Sequence, residues 1–205
     1  MNSFLLILLK FYARLPMGLI YILGFKLTIL LKLFSYRKKV IDNNLKNAFP
    51  DKDKSSLRNI KHQFYSYFGQ LLAESVKLFH CSSDTIRKRH KFVNDSQVNA
   101  FLKQNKDVLI VLGHYGNWEW ALLASSLNFD AEMVGIYKPL SSTFWNKQVL
   151  KIRSQFGATL LSMKESVRHL FKKGKKARII GILSDQTPST DELLSLIHIS
   201  EPTRP

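Results

Sequence analysis

The sequence has a single cysteine, Cys81, which excludes a disulfide framework and a cysteine-rich metal site. A reducing compartment fits that usage. Acidic residues are also scarce: 15 Asp and Glu stand against 31 Lys and Arg, a formal charge of +16. Such an imbalance implies an anionic partner, which could be nucleic acid, acidic lipid or an acidic protein. Residues 1 to 40 contain no Asp or Glu at all. The longest apolar run, Leu15 to Leu31, carries Lys26 near its end and is marginal for a membrane span of ~20 residues. A cleavable signal peptide is not expected, because no basic residue precedes "FLLILL" and no small-residue cleavage site follows it. There is no internal repeat and no low-complexity tract.

What is present is enough to fill a core. The 205 residues are 45% hydrophobic and 12% aromatic, which suits one domain or one domain with an appendage. In residues 1–40, Lys10, Arg14, Lys26, Lys32, Arg37, Lys38 and Lys39 are threaded among Leu, Ile and Phe. That mixture suits helices lying on an anionic membrane, with the "YRKK" flank on the cytoplasmic side. A buried apolar helix pair of a soluble protein is the alternative. Pro16 divides the region into two helical pieces. Residues 41–90 then read as a polar linker, "NAFPDKDKSS", and an amphipathic helix. Leu57, Ile60, Phe64, Phe68, Leu71, Leu72, Val76 and Phe79 recur at helical spacing, and Ser55 or Ser56 is the expected cap.

From about Lys91 to residue 193, short apolar runs alternate with amphipathic segments. "DVLIVLG", "EMVGIY", "ATLLS" and "RIIGILS" read as strands, the first of them buried. "NWEWALLASSL", "FWNKQVLKIRSQFG" and "KESVRHLFKKG" read as helices. This alternation predicts an α/β fold with a mostly parallel sheet flanked by helices. Ligands gather at the carboxyl ends of strands in such sheets, and His114 and Asp185 each follow one.

His114 and Glu119 are five positions apart, which on one straight helix would leave them about 140° apart. The spacing brings them together if His114 lies on a strand-to-helix turn and Glu119 on the helix. Gly113 and Gly116 would permit that turn. A carboxylate beside imidazole fixes its tautomer and stabilises imidazolium, so the pair could take a proton from a substrate hydroxyl. A structural histidine with an exposed glutamate is the alternative. Arg153 could hold a phosphate or an oxyanion, or be a surface helix arginine. Asp185 could belong to the site or cap a turn. The basic stretch "KESVRHLFKKGKKAR" could dock an acidic partner or be a solvated face. His62, His80 and His90 show no convergent ligand pattern, so no metal site is indicated.

"GHYGNWE" resembles the His-x4-Asp/Glu block of glycerolipid acyltransferases, in particular the bacterial lipid A biosynthesis acyltransferases that transfer lauroyl and myristoyl chains. "YRKKVIDNNLKNAFP", "IYKPL", "IRSQFG" and "ILSDQTP" resemble further blocks of that family in the same order, over roughly Met1 to Thr190. The resemblance implies a glycerolipid-acyltransferase-like fold and a membrane-associated O-acyltransferase on the cytoplasmic face of the inner membrane. It implies acyl carrier protein as donor, a lipid A precursor as acceptor, no cofactor, no nucleic acid and no covalent enzyme intermediate. His114 would be the general base and Glu119 its partner. Gly116, Asn117, Tyr137, Lys138, Arg153 and Asp185 map onto positions near the substrates. A lysophospholipid or other glycolipid acyltransferase is the first alternative, and a non-catalytic basic protein binding membrane or nucleic acid the second. The last twelve residues, Leu194 to Pro205, resemble a translated sequencing adapter, so the acyltransferase core is expected to be incomplete and residues 194–205 non-native.

Overall fold

The computed structural model describes residues 2–172 and 176–185. Lys173 and Lys175 of the basic stretch, the block "ILSDQTP" from Gln186 onward and the tail 194–205 lie outside the described residues.

Two apolar helices open the chain, α1 (Asn2–Ala13) and α2 (Met17–Leu33), and Pro16 separates them as expected. They are followed by α3 (Lys38–Ala48), which the sequence reading does not anticipate and which crosses the boundary expected at residue 40. The long helix α4 (Lys54–Lys77) is capped by Asp53 rather than by Ser55 or Ser56. Its carboxylate accepts from the Ser56 amide at 3.1 Å and from the Ser55 hydroxyl at 2.7 Å. Those bonds, with Ser56 leading, hold the Asp53 carboxyl down to about 2. Aspartate outcompetes the serines because an ionised oxygen at the first turn also meets the positive end of the helix dipole.

α2 lies along α4, and small residues make the close approach possible. A Cβ built on Gly24 would stand 3.1 Å from the Ala73 Cβ, and one on Gly69 would stand 2.8 Å from the Gly24 carbonyl oxygen. Thr28 fills the seam, its hydroxyl donating to the Gly24 carbonyl at 3.0 Å and reaching the Tyr65 carbonyl at 3.3 Å. Tyr65, Gly69, Ala73 and Lys77 follow one another at four-residue steps, so they line one face of α4. At its end the buried Lys77 ammonium donates to the carbonyls of Ala13 (2.7 Å) and Leu15 (2.9 Å). A cation thereby caps the carbonyl end of α1, where helices favour positive charge. No single described helix is long and apolar enough to cross a membrane; α2 and α3 together form a pair bent by 92°.

Two short helices, α5 (Ser83–Arg89) and α6 (Asp95–Lys103), lead into the sheet. The order is then β1 (Val108–Leu112), α7 (Trp118–Asn128), β2 (Glu132–Tyr137), α8 (Thr143–Arg153), β3 (Thr159–Ser162), α9 (Met163–Leu170) and β4 (Arg178–Leu183). All four described strands are parallel, in the spatial order β1-β4-β2-β3. The α/β fold of the sequence reading stands. β4 runs between β1 and β2, with Leu112 opposite Leu183 and Met133 opposite Ile179. Right-handed crossovers put α7 and α8 on one face and α9 on the other, because the chain reverses direction along the sheet after β3. The core between the sheet and α7 gathers Phe129, Met133, Ala158 and Ile179, with Leu122, Val108 and Ile110 packed against them.

One expectation needs correcting. β1 is half-buried on one face and open on the other: Leu109 and Val111 are 57% and 61% exposed. The helix on that face, α9, packs mainly over β2 and β3.

The α2–α4 seam yields a prediction. Gly69→Ala should destabilise the fold by about 1–3 kcal/mol, the usual cost of overpacking. Gly18→Ala, where an added Cβ meets nothing within 4 Å, should be neutral or mildly stabilising. Thermal unfolding of the two variants in the same detergent measures the difference, and equal melting temperatures would show that the seam is not tightly packed.

Candidate active site

The turn after β1 carries Gly113, His114, Tyr115, Gly116 and Asn117 before α7 begins. Gly116 has φ of +68°, a conformation that costs glycine little and other residues more. Asn117 is the α7 cap: its side-chain oxygen accepts from the Trp120 amide at 3.3 Å. Asp185 stands two residues beyond the end of β4, as His114 stands two beyond β1. Because those strands are paired neighbours, with Ser184 N–H donating to the Leu112 carbonyl at 3.0 Å, the two residues meet.

They meet twice. The His114 backbone N–H donates to Asp185 Oδ2 at 2.7 Å, and His114 Nδ1 lies 2.6 Å from Asp185 Oδ1. A carboxylate only accepts, so in the neutral ring Nδ1 carries the proton and Nε2 keeps its lone pair. The side-chain and backbone bonds from His114 hold the Asp185 carboxyl below the ordinary aspartate value. Gly113 allows this approach, since a Cβ there would come within 3.3 Å of Asp185 Oδ2. The edge of Trp118 walls the imidazole, with ring centroids 4.7 Å apart and planes at 73°.

Glu119, expected as the partner of His114, is bonded elsewhere. Its two oxygens take the Arg153 guanidinium, with Arg153 Nε donating to Oε2 at 2.8 Å and Nη2 donating to Oε1. The reason lies in helix geometry. Glu119 sits in the first turn of α7 on the side that α8 packs against, and Arg153 is the last residue of α8. Burial opposes the charge on Arg153, but the Glu119 pair outweighs it and the arginine pKa is raised. Such a forked pair fixes both side chains in place.

Tyr137 ends β2, at the same carboxyl end of the sheet as His114 and Asp185. Lys138 follows it and is exposed. The structure thus brings His114 to Asp185 and Glu119 to Arg153. Gly116 and Asn117 shape the turn through their backbone and cap. Cys81, half-buried, has its thiol pushed up to about 11 by burial, which does not suit a nucleophile.

Three contributors are absent from the sequence reading: Trp118, Tyr67 and Glu74. Tyr67 donates its hydroxyl to the Gly116 carbonyl at 2.9 Å. Asn117 Nδ2 donates to Glu74 Oε2 at 2.8 Å. Glu74 is the one acidic residue within α4, and that isolation was the available signal.

A strand-end histidine oriented by a carboxylate is equipped to abstract a proton from a hydroxyl, and a fixed guanidinium is equipped to face an anionic or oxyanionic group. The profile of the bacterial lipid A biosynthesis acyltransferases matches residues 1–193. The chain is therefore an acyltransferase, a member of the bacterial lipid A biosynthesis acyltransferase family. No curated protein matches the chain.

The His114–Asp185 contact sets a pH dependence. The folded-state pKa of Asp185 is lowered, so the stabilisation from this contact is complete above the ordinary value of 3.8 and is lost as pH falls through the depressed one. Carbon-detected NMR titration should place the Asp185 carboxyl below 3.8, and His114→Ala should move it upward. An Asp185 titration unaltered by His114→Ala would rule the contact out.

Proposed function

We propose that this acyltransferase moves a fatty acyl chain from acyl carrier protein to a hydroxyl of a lipid A precursor, with His114 as general base and no covalent enzyme intermediate. The observation that carries the reading is the His114–Asp185 pair. It leaves Nε2 as the ring's basic nitrogen at the carboxyl ends of two parallel strands. The acceptor hydroxyl gives its proton to Nε2 as its oxygen bonds to the thioester carbonyl carbon. The tetrahedral oxyanion then collapses, the C–S bond breaks, and the imidazolium returns the proton to the departing thiolate. Asp185 stabilises the imidazolium between these steps. Glu119 contributes by fixing Arg153, whose guanidinium suits an oxyanion or a substrate phosphate. Lys138 and the basic residues Lys164, Arg168, Lys172 and Lys176 supply positive charge for an acidic donor protein or a phosphorylated acceptor.

The same reading places the enzyme on the cytoplasmic face of the inner membrane. The support is the apolar surface of the N-terminal helices. Phe4, Ile7, Phe11 and Phe25 are exposed, and Leu33 and Phe34 are 72% and 80% exposed. A cavity of about 480 Å³ opens between α1, α2 and α4 among Leu9, Ile20, Leu27, Leu72, Val76 and Phe79. With no acidic residue in the first forty positions, this surface suits an anionic bilayer.

His114→Ala should lower kcat for transfer from acyl carrier protein by roughly 10²–10⁴, the usual contribution of a positioned acid–base group, without unfolding the protein by circular dichroism. Asp185→Asn should also slow turnover. A folded His114→Ala with the wild-type rate would sink the mechanism.

The membrane assignment has its own check. Replacing Phe11, Phe25 and Phe34 together by glutamate should release the protein from vesicles containing phosphatidylglycerol while leaving the melting temperature little changed. Retention on the vesicles would place the membrane contact elsewhere.

A further inference from the structure

α4 braces the turn that carries His114, and it does so from one face. Tyr67 and Glu74 are seven residues apart, about two helical turns, and both reach toward residues 116–120. Tyr67 holds the Gly116 carbonyl at 2.9 Å. Glu74 holds Asn117 Nδ2 with its side chain at 2.8 Å and the Trp120 indole N–H with its backbone carbonyl at 3.3 Å. The other Glu74 oxygen accepts from the Tyr21 hydroxyl of α2 at 2.9 Å. Arg89 of α5 donates to that same Tyr21 oxygen at 3.0 Å and lies over its ring.

The chemistry of the Asn117 amide makes Glu74 more than another contact. An amide has a donor end and an acceptor end, and a helix cap needs the acceptor. A carboxylate accepts only, so Glu74 can hold Asn117 by its NH2 and by nothing else. That choice turns Oδ1 toward the Trp120 amide, where it caps α7. The first turn of α7 then presents Trp118 to the imidazole and Glu119 to Arg153. Among the described residues no cation hydrogen-bonds Glu74; both side-chain oxygens serve neutral donors. The carboxylate is spent on orienting one amide and tying it to the N-terminal helices.

We propose that Glu74 is a positioning residue for acyl transfer: through Asn117 it fixes the first turn of α7 and so the geometry around His114. The proposal rests on His114 being the base, as argued above.

The test reverses the polarity of one hydrogen bond. Asn117→Asp keeps a residue type that can cap a helix but loses the donor, and repulsion between the two carboxylates pulls its oxygen off the Trp120 amide. It should lower kcat at least tenfold, with KM changed less than twofold. Adding Glu74→Gln supplies a donor from the other side, and the double variant should regain most of the lost kcat. Glu74→Gln alone, which keeps an acceptor for Asn117 and can donate to the Tyr21 oxygen, should lose little. Amide hydrogen exchange at Trp120, read by NMR or mass spectrometry, should accelerate about tenfold in Asn117→Asp and return in the double variant. The exchange readout does not depend on the substrate: if it behaves as expected while the wild-type enzyme leaves a lipid A precursor untouched, the brace stands and the assigned acceptor falls. A double variant as slow as Asn117→Asp, or Asn117→Asp with wild-type kcat and exchange, overturns the proposal.

Discussion

The parallel pairing of β4 with β1 is the constraint on which this site depends. His114 and Asp185 are 71 residues apart in sequence and have no local reason to meet. They touch because Leu112 and Leu183 are in register and each chain continues two residues past its strand. A one-residue slip would turn every side chain of the strand to the opposite face and carry the aspartate away from the imidazole. The glycine at position 113 belongs to the same constraint, since a side chain there would crowd the Asp185 carboxylate. The second pair, Glu119 with Arg153, hangs on the packing of α8 against α7 and is thereby independent of β4.

This division explains what could be read in the sequence. The strands and the helices between them were legible because continuous apolar runs and amphipathic segments alternate cleanly from Val108 to Leu183. The histidine and the aspartate were both legible as strand-end residues. Their partnership was not, because sequence pattern reports which segments are strands and not which strands are neighbours. Glu119 looked like the natural companion of His114 for the same reason: five residues of separation is information, and seventy-one is silence. The shorter helices α3, α5 and α6 lacked a long enough apolar repeat to stand out. The open face of β1 escaped because an uninterrupted apolar strand looks buried on both sides. The role of α4 was half visible. Its apolar stripe announced a helix, while the lone acidic residue within it, Glu74, carried no motif.

The N-terminal helices are joined to the rest of the molecule by more than apolar contact. Lys77 caps the end of α1, the Gly24–Thr28 seam locks α2 to α4, and Tyr21 reaches the carboxylate that holds the Asn117 amide. A surface suited to lipid and a turn bearing the proposed base are thus two sides of one helix. The basic residues that dominate the charge are mostly elsewhere in the chain, 31 Lys and Arg against 15 Asp and Glu overall.

The position of β4 also governs how such a sheet can be assembled. β1 and β2 come earlier in the chain, yet they share no described hydrogen bond; the strand that joins them is the last of the four. Until it arrives, the two strands present facing edges with unsatisfied backbone groups, separated by the width of one missing strand. Contacts of this sequence separation form slowly, since the intervening loop must be closed before any pairing compensates it. A chain that lacks β4 has no strand to join β1 to β2 and cannot complete this sheet. Entry of β4 closes the gap and brings the aspartate to the histidine in the same event, so no half-built form of this fold carries the assembled pair.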